Sequence, residues 1–332
     1  MHSRKLGPDG PPVSSVGIGG MSFGPFYGET TEAESHAILD AAREAGIDHI
    51  DTSNVYGAGR SEEVIGCYLA RLDGPSPFRI ATKGGITTDP DTGARRFDNS
   101  AAHLKAELDK SLKRLGVDQV ELYYVHRRDP DIPIEEVTGT LANLIAKGKI
   151  ARFGFSEIAP TSLRRAAQVH PVAAVQSEYS LQTRAPELGL IQACEELGTA
   201  LVAFCPVGRG LLTDTPPTPQ RVEASGFLKT NPRFTSENLP RNIAASQPLR
   251  DLARDLGHST AALAIAWLLT RSETVIPIPG TRSTDHFREL VAGANLSLDA
   301  DTLAEIDRHL PPGWCHGARY SAAQSIGPED YC

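Results

Sequence analysis

Four side chains in this sequence could together deliver a proton: Asp51, Tyr56, Lys83 and His126. Asp51 closes the apolar run IDHID, and Tyr56 follows it in the next turn. Lys83 closes FRIATK and is followed by two glycines, while His126 closes VELYYVH. A free phenol has a pKa of about 10, too high for an efficient acid at neutral pH. A neighbouring ammonium favours the phenolate and lowers that value, and a carboxylate keeps the lysine charged where water is scarce. A histidine beside them can orient a carbonyl oxygen. Singly, each residue has an ordinary use: a turn cap, a packed tyrosine, a solvated strand end, a core histidine. Their common place at strand ends raises the set above those uses.

Residues so far apart meet only if the strands that end in them open onto one face, as in a barrel of alternating parallel strands and helices. The rest of the chain fits that requirement. RKLGPDGPPVSSVGI reads as a short hairpin leading into a first strand near Val13–Ile18. Thr31 and Glu34 form a capping box, and Gly46 ends that helix. Ser61 is expected to cap a helix running to about Leu72, and Ser100 another that carries Leu104, Leu108, Leu112 and Leu115 and stops at Gly116. QVELYYVH, IARFGFS, VAAVQSEY, ALVAFCP and TVIPIP supply further strands. Helices are expected around Ile134–Ile145, Ser259–Leu269 and Thr284–Ala292. Eight strand–helix units with Val-, Ile- and Phe-rich strands point to an α/β fold, a (β/α)8 barrel formed by residues 1–332 as one domain. Two long connections, Gly84–Asn99 and Gly208–Ser246, are expected as binding loops, and the aperiodic tail 311–332 as a cover over one face.

Composition narrows the function. Of 332 residues, 40% are hydrophobic and 22% charged, so the chain is globular. A net charge of -8 argues against nucleic acid or anionic membranes as partners. Five cysteines without a CxxC pair suit a reducing cytoplasm. No apolar leader opens the sequence, and the longest apolar run, Ala261–Leu269, is too short for a bilayer. There is no HxH or HExxH, so no metal is expected. The glycine-rich GIGGMSFG is followed by Pro25 rather than a helix, which argues against a Rossmann fingerprint.

HIDTSNVYG, ATKGG, ELYYVHRRDPDIPIEE, KIARFGFSE, VQSEYS and PIPGT together resemble the aldo-keto reductases over nearly the whole chain. HRRDPDIPIEE and NPRFTSEN are most similar to the branch with general aldehyde and pyridoxal reductase activity. The resemblance implies a (β/α)8 barrel that binds NADP(H) and reduces small carbonyl substrates. It implies Tyr56 as general acid, Lys83 as its tuner, Asp51 as the lysine's holder and His126 as the carbonyl's orienter. It also implies a cofactor site. Tyr179 would stack on the nicotinamide, while Gln176, Ser156, Glu157 and Asp51 would surround the carboxamide. Gly19 and Met21 would lie near the cofactor. Phe204, Pro206, Gly208, Arg209 and Leu211 would follow the pyrophosphate, and Gly280, Arg282, His286 and Glu289 would surround the adenosine 2′-phosphate. Position 157 is Glu where many relatives have Asn, and position 290 is Leu where Asn is usual. The substrate pocket would be walled by Phe26, Tyr27, the connection after Gly84, the neighbours of His126 and the tail.

Two other readings attach to the same residues. Potassium-channel beta subunits resemble this family and work by complex formation; the complete tetrad favours an enzyme. Lys83 as a Schiff-base nucleophile is opposed by Asp51, which would hold it protonated. The sequence leaves the substrate and the oligomeric state open.

Overall fold

Strand parity organises the molecule, because successive side chains on a strand point to opposite faces. In the computed structural model, which describes residues 2–89 and 91–331, a short antiparallel hairpin of β1 (Ser3–Lys5) and β2 (Pro12–Ser14) comes first. Then follow β3 (Ile18–Gly19), α1 (Glu32–Glu44), β4 (His49–Asp51), α2 (Arg60–Leu69) and β5 (Arg79–Gly84). A second antiparallel hairpin, β6 (Ile86–Thr88) with β7 (Arg95–Phe97), precedes α3 (Ala101–Leu115) and β8 (Val120–Val125). The chain continues as α4 (Ile134–Ala146), β9 (Ile150–Ser156), α5 (Pro160–Ala167), β10 (Ala174–Glu178), α6 (Leu190–Leu197) and β11 (Ala200–Phe204). Next come α7 (Pro219–Glu223), α8 (Asn238–Ala245), α9 (Gln247–Asp255), α10 (Thr260–Arg271), β12 (Val275–Pro277), α11 (Thr284–Ala292) and α12 (Ala300–His309).

Eight of these strands are parallel, in the order β12-β11-β10-β9-β8-β5-β4-β3. The ring closes where Gly17 N and Gly19 N each donate, at 2.9 Å, to Pro277 O and Pro279 O. This is the expected (β/α)8 barrel. At the seam a Cβ on Gly280 would lie 2.6 Å from Gly19 O, so only glycine lets the two backbones approach.

Inward strand residues gather in one core cluster and outward strand residues in another. Ala81, Leu122, Tyr124, Ala174, Ala200, Val202, Ile276 and Ile278 fill the barrel, and Leu6 and Val13 of the hairpin plug its base. Arg4 fixes that plug by donating to the carbonyls of Val275 at 2.9 Å and Leu269 at 2.5 Å. The opposite parity, including Ile50, Tyr123, Val125, Phe155, Val175 and Leu201, packs beneath the helices. At one level Tyr124 takes the space that Gly154 leaves, since a Cβ there would meet its ring at 2.7 Å.

Local signals set most helix ends. The Thr31–Glu34 capping box is formed, Ser100 and Ser259 cap α3 and α10, and Gly116 ends α3 in the left-handed conformation. Ser61 does not cap α2. That helix begins at Arg60 after Gly59, and the Ser61 hydroxyl bridges Thr52 Oγ1 and Gly20 O, each at 2.7 Å. The expected strand Val13–Ile18 is two pieces, because β2 belongs to the plug and β3 to the barrel. The polar connection after Lys83 is the β6–β7 hairpin, and Gly208–Ser246 carries α7 and α8 around a small core of Leu211, Val222, Leu228, Phe234 and Leu239. α9 and α12 are additional to the sequence reading; Asp299 caps α12 through Thr302 N at 2.8 Å.

His49 lies inside the barrel below Asp51, fully buried, with neither ring nitrogen hydrogen-bonded. Burial pushes its pKa down, against the raising influence of Asp51, Asp48 and Glu121. The unfolded chain therefore takes up a proton near pH 6.5 that the folded chain refuses, and stability falls as pH drops through that value. We expect His49→Leu to make the loss of unfolding free energy between pH 7 and pH 5 shallower by up to about 2 kcal/mol, read from urea melts at both pH values. An unchanged slope would mean that His49 is protonated inside the barrel.

Candidate active site

The inward parity that fills the core continues to the strand C-termini, where the inward residues become polar. Asp51 ends β4, Lys83 lies one residue from the end of β5, Ser156 ends β9, and Gln176 and Glu178 lie on β10. His126 follows β8 directly, with its backbone N donating to Gly84 O at 2.8 Å. Tyr56 reaches the same place from the turn after β4. That turn is held by Asn54 Nδ2, which donates to Glu107 Oε2 at 2.7 Å, and it passes through three consecutive left-handed residues, Gly57, Ala58 and Gly59. A left-handed alanine is costly and persists only where its surroundings impose it.

The four tetrad residues are in contact. Lys83 Nζ donates to Asp51 Oδ1, to Thr52 O at 2.8 Å and to Tyr56 Oη at 3.3 Å. Gln176 Nε2 donates to the other Asp51 oxygen at 2.7 Å, so both carboxylate oxygens are occupied. Lys83 Nζ also lies 4.9 Å from the centre of the Tyr56 ring, a cation–π distance. The Tyr56 and His126 rings meet edge to face at 5.8 Å between centroids, and Ser53 Oγ is 3.1 Å from His126 Nδ1. Lys83 is fully buried, Asp51 and His126 nearly so, and Tyr56 keeps an exposed edge.

Burial dominates the electrostatics. It lowers the Lys83 pKa, with Asp51 opposing, and it raises Tyr56, with Asp51 adding and Arg127 subtracting. The ammonium is thus not the leading influence on the phenol, contrary to the expectation from residue types. Its place is beside the charge that appears when the proton leaves. Burial, then the positive charges of Arg127, Lys83 and Arg95, hold the His126 pKa well below the usual histidine range, so the ring is neutral. In the tautomer with Nδ1 facing Ser53 Oγ and the hydrogen on Nε2, the ring can donate from Nε2. This assembly can deliver one proton and one hydrogen bond to a single oxygen.

The other expected positions divide. Gln176, Ser156, Phe204 and Gly19 all have inward parity near the mouth, and Met21 is half-buried in the turn after β3. Pro206 and Gly208 are buried beyond β11, and Gly280 is exposed beyond β12. Arg282 Nη1 donates to Glu29 O at 2.6 Å, and Ser283 caps α11 through His286 N at 3.3 Å. His286 is exposed, Glu289 is half-buried, and Leu290 packs with Val16 and Ile265.

Tyr179, Leu211, Glu157 and Arg209 are each engaged by the protein itself. Tyr179 has outward parity: its ring packs edge to face on Trp267 at 5.9 Å, its hydroxyl donates to Glu187 at 2.8 Å, and it cannot reach the barrel mouth. Leu211 is fully buried in the small core of the 208–246 segment. Glu157 and Arg209 belong to a buried charge cluster. Glu157 Oε1 accepts from Glu178 N at 2.8 Å, and Oε2 pairs with Arg319 at 2.6 Å. Glu178 pairs with Arg209 at 2.9 Å and with Arg319 at 3.2 Å. Burial opposes the Glu178 charge, yet Arg209, Arg319 and Arg233 outweigh it and hold the carboxyl well below the usual range.

Arg319 reveals what the tail does. Trp314 Nε1 donates to Leu181 O at 2.8 Å, Gln324 Nε2 to Thr230 Oγ1 at 3.0 Å, and Glu329 accepts from Ala159 N at 2.8 Å. The tail therefore straps the mouth from the 208–246 segment to the β9 end, as expected of a cover. Ser53, Arg127, Glu178 and Arg319 are the residues here that the sequence reading missed; no periodicity marks them. Arg319→Ala leaves Glu157 without its cation. A charge-assisted hydrogen bond contributes about 1.5–3 kcal/mol, so local opening should rise about tenfold or more. Chymotryptic cleavage at Tyr320 should accelerate accordingly while the far-ultraviolet circular dichroism is unchanged; an unaltered cleavage rate would show that the cluster does not hold the strap.

Comparison with known proteins agrees with this geometry. The model of the aldo/keto reductase family matches residues 15–311. An aldo-keto reductase of Schizosaccharomyces pombe, whose name carries NADP(+), is 35% identical over 321 residues, covering 96% of this chain and 94% of that one. The aldo-keto reductase str7 of Strobilurus tenacellus is 36% identical over 315 residues, 92% of this chain and 91% of its own. Among solved structures, a glycerol dehydrogenase of Gluconobacter oxydans superposes with a TM-score of 0.81 at 28% identity, covering 93% of this chain and 94% of that one. A Bacillus halodurans aldo-keto reductase in its holo form superposes with a TM-score of 0.78 at 25% identity, covering 97% and 99%. A barrel with this mouth, matched along nearly its whole length, belongs to the aldo/keto reductase family.

Proposed function

We propose that residues 1–332 act as one NADP(H)-dependent unit that reduces aldehydes or ketones to alcohols, in a reducing cytoplasm. The observation that carries this reading is the buried chain Asp51–Lys83–Tyr56 with His126 against the tyrosine. The mouth suits the cofactor. Phe204 presents a half-buried aromatic face inward, as Tyr179 cannot, and Gln176 keeps its carbonyl oxygen free while its amide is engaged by Asp51. The start of α11 offers backbone N–H groups beside Arg282, whose guanidinium uses Nη1 on Glu29 and keeps its other edge. When bound, the nicotinamide supplies the hydride to the carbonyl carbon.

The protein's part is the oxygen. His126 donates from Nε2 and fixes its direction. Tyr56 gives up its proton to the oxygen as charge develops there. Lys83, 3.3 Å from Tyr56 Oη, stabilises the phenolate so formed, and Asp51 keeps the lysine charged in a site that otherwise disfavours it. The strap and the 208–246 segment exclude water above.

Tyr56→Phe keeps the ring and removes the proton. The kcat for carbonyl reduction, measured by NADPH oxidation against a panel of aldehydes and ketones that includes pyridoxal, should fall by about 100-fold or more. The Kd for NADPH should barely move, and wild-type turnover in the variant would sink the assignment.

Cofactor choice has its own test. Only NADPH carries the 2′-phosphate that Arg282 could pair with, and such bonds contribute about 1.5–3 kcal/mol, or tenfold to a hundredfold in affinity. Arg282→Ala should erase most of the NADPH preference and leave NADH binding nearly unchanged, with Kd measured for both cofactors. Equal losses would assign Arg282 to the loop it contacts through Glu29 O.

A further inference from the structure

Nearly every arginine around the barrel mouth has a carboxylate. Arg96 pairs with Asp98 at 3.3 Å and Arg128 with Glu329 at 3.3 Å. Arg209, Arg233 and Arg319 share Glu178, at 2.9, 3.8 and 3.2 Å. Apart from Arg282 across the ring, Arg95 and Arg127 differ: among the described residues neither has a carboxylate within 4.0 Å. Arg127 follows His126 directly. Its Nη1 donates to His126 O at 2.7 Å and to Ser156 Oγ at 3.0 Å, and its Nε is buried without a partner. Arg95, on β7, has its guanidinium 5.2 Å from the centre of the Phe97 ring. The same ring and Arg127 Cδ flank Gly327 of the strap, where a Cβ would meet them at 2.6 and 3.1 Å. Phe97 thus joins the two cations into one patch beside the tetrad.

The positive charge of Arg127 acts unfavourably on Arg95, and the buried Nε adds the cost of an unmade bond. An anion between them relieves both. The cofactor's phosphates are on the wrong side for this. In the eight-strand ring β8 lies opposite β12, and Arg282, proposed to read the phosphate, follows β12. An anion there is therefore assigned to the molecule whose carbonyl oxygen the tetrad protonates.

We propose, resting on the reductase reading, that the substrate is a carbonyl compound bearing an anionic group, carboxylate or phosphate, held by Arg127 and Arg95 while its carbonyl oxygen lies between Tyr56 and His126. Arg127 and Arg95 determine specificity, and neither is the proton donor. Phe97 and the strap wall the site on the outer side, where a short chain between carbonyl and anion would lie.

Matched substrates test it. The kcat/KM ratio of 4-oxobutanoate to butanal reads a carboxylate, and that of glyceraldehyde 3-phosphate to glyceraldehyde reads a phosphate. At least one ratio should be about tenfold to a hundredfold in the wild type, and Arg95→Gln and Arg127→Gln should each bring it towards one. Preference in only one pair identifies the anion. Equal efficiencies in both pairs, with turnover intact, overturn the anion site and leave the reductase reading standing. Should no carbonyl be reduced, calorimetric binding of succinate and of inorganic phosphate still reads the patch. Binding by the wild type that both variants lose supports it; binding equal in all three proteins, or absent from the wild type, overturns it.

Discussion

A fully buried ammonium is the constraint around which this molecule is built. Taking a lysine out of water costs several kcal/mol, and Coulomb attraction alone returns that only with good geometry and further hydrogen bonds. Lys83 has both. It reaches Asp51, the Thr52 carbonyl and the Tyr56 hydroxyl, with the Tyr56 and Tyr124 rings 4.9 and 5.8 Å from Nζ. Asp51 in turn is satisfied by Gln176 on the far side of the barrel. The pair therefore links β4, β5 and β10 across the barrel, and the polar layer seals the apolar interior from above as the hairpin plug seals it from below. Removing either partner would leave a buried charge behind, which is why the ion pair suits specificity of arrangement more than raw stability.

Parity explains both what the sequence made legible and where it misled. The strands were recognisable as apolar runs bounded by glycine, proline and capping residues, and the tetrad lay at their ends. Tyr179 was misassigned although the information was present. Tyr179 directly follows β10, three positions after Gln176, and an odd separation in extended chain puts them on opposite faces. Gln176 meets Asp51 inside the barrel, so Tyr179 must face the helices, where Trp267 and Glu187 meet it. Phe204, aligned with Glu178 in the β10–β11 register, has the inward parity instead.

Other features had no local signature. Arg319 lies in a tail of turns and bends, so nothing in its neighbourhood indicates that it crosses more than 140 positions to reach Glu178 (separation 141). The charge at position 157 looked like a departure from a cofactor contact; the fold makes it the anchor of a strap. α12 was hidden because its apolar stripe is short: Ile306 is its single fully buried side chain, with Leu303 packed at the margin. Long-range charge pairing and docking of short helices depend on where the whole chain goes, and sequence periodicity reports only which face of one element is apolar.

The two sides of the mouth handle charge in opposite ways, and the contrast ties structure to chemistry. Towards β9, β10 and β11, two buried carboxylates meet three guanidinium groups, so the field is largely cancelled within the protein and the cluster works as a rivet. Towards β8 and the β6–β7 hairpin the guanidinium groups of Arg95 and Arg127 lack that compensation, and their field falls on His126 and, from Arg127, on Tyr56. Burial, with this positive field added, keeps the His126 ring neutral, able to donate one hydrogen bond without becoming the acid. At Tyr56 it opposes the effect of burial and favours the phenolate that proton delivery leaves behind. In the proposed reduction, the uncompensated side is the one on which negative charge has to appear when a carbonyl oxygen is protonated, and the rivet on the other side holds the strap in place.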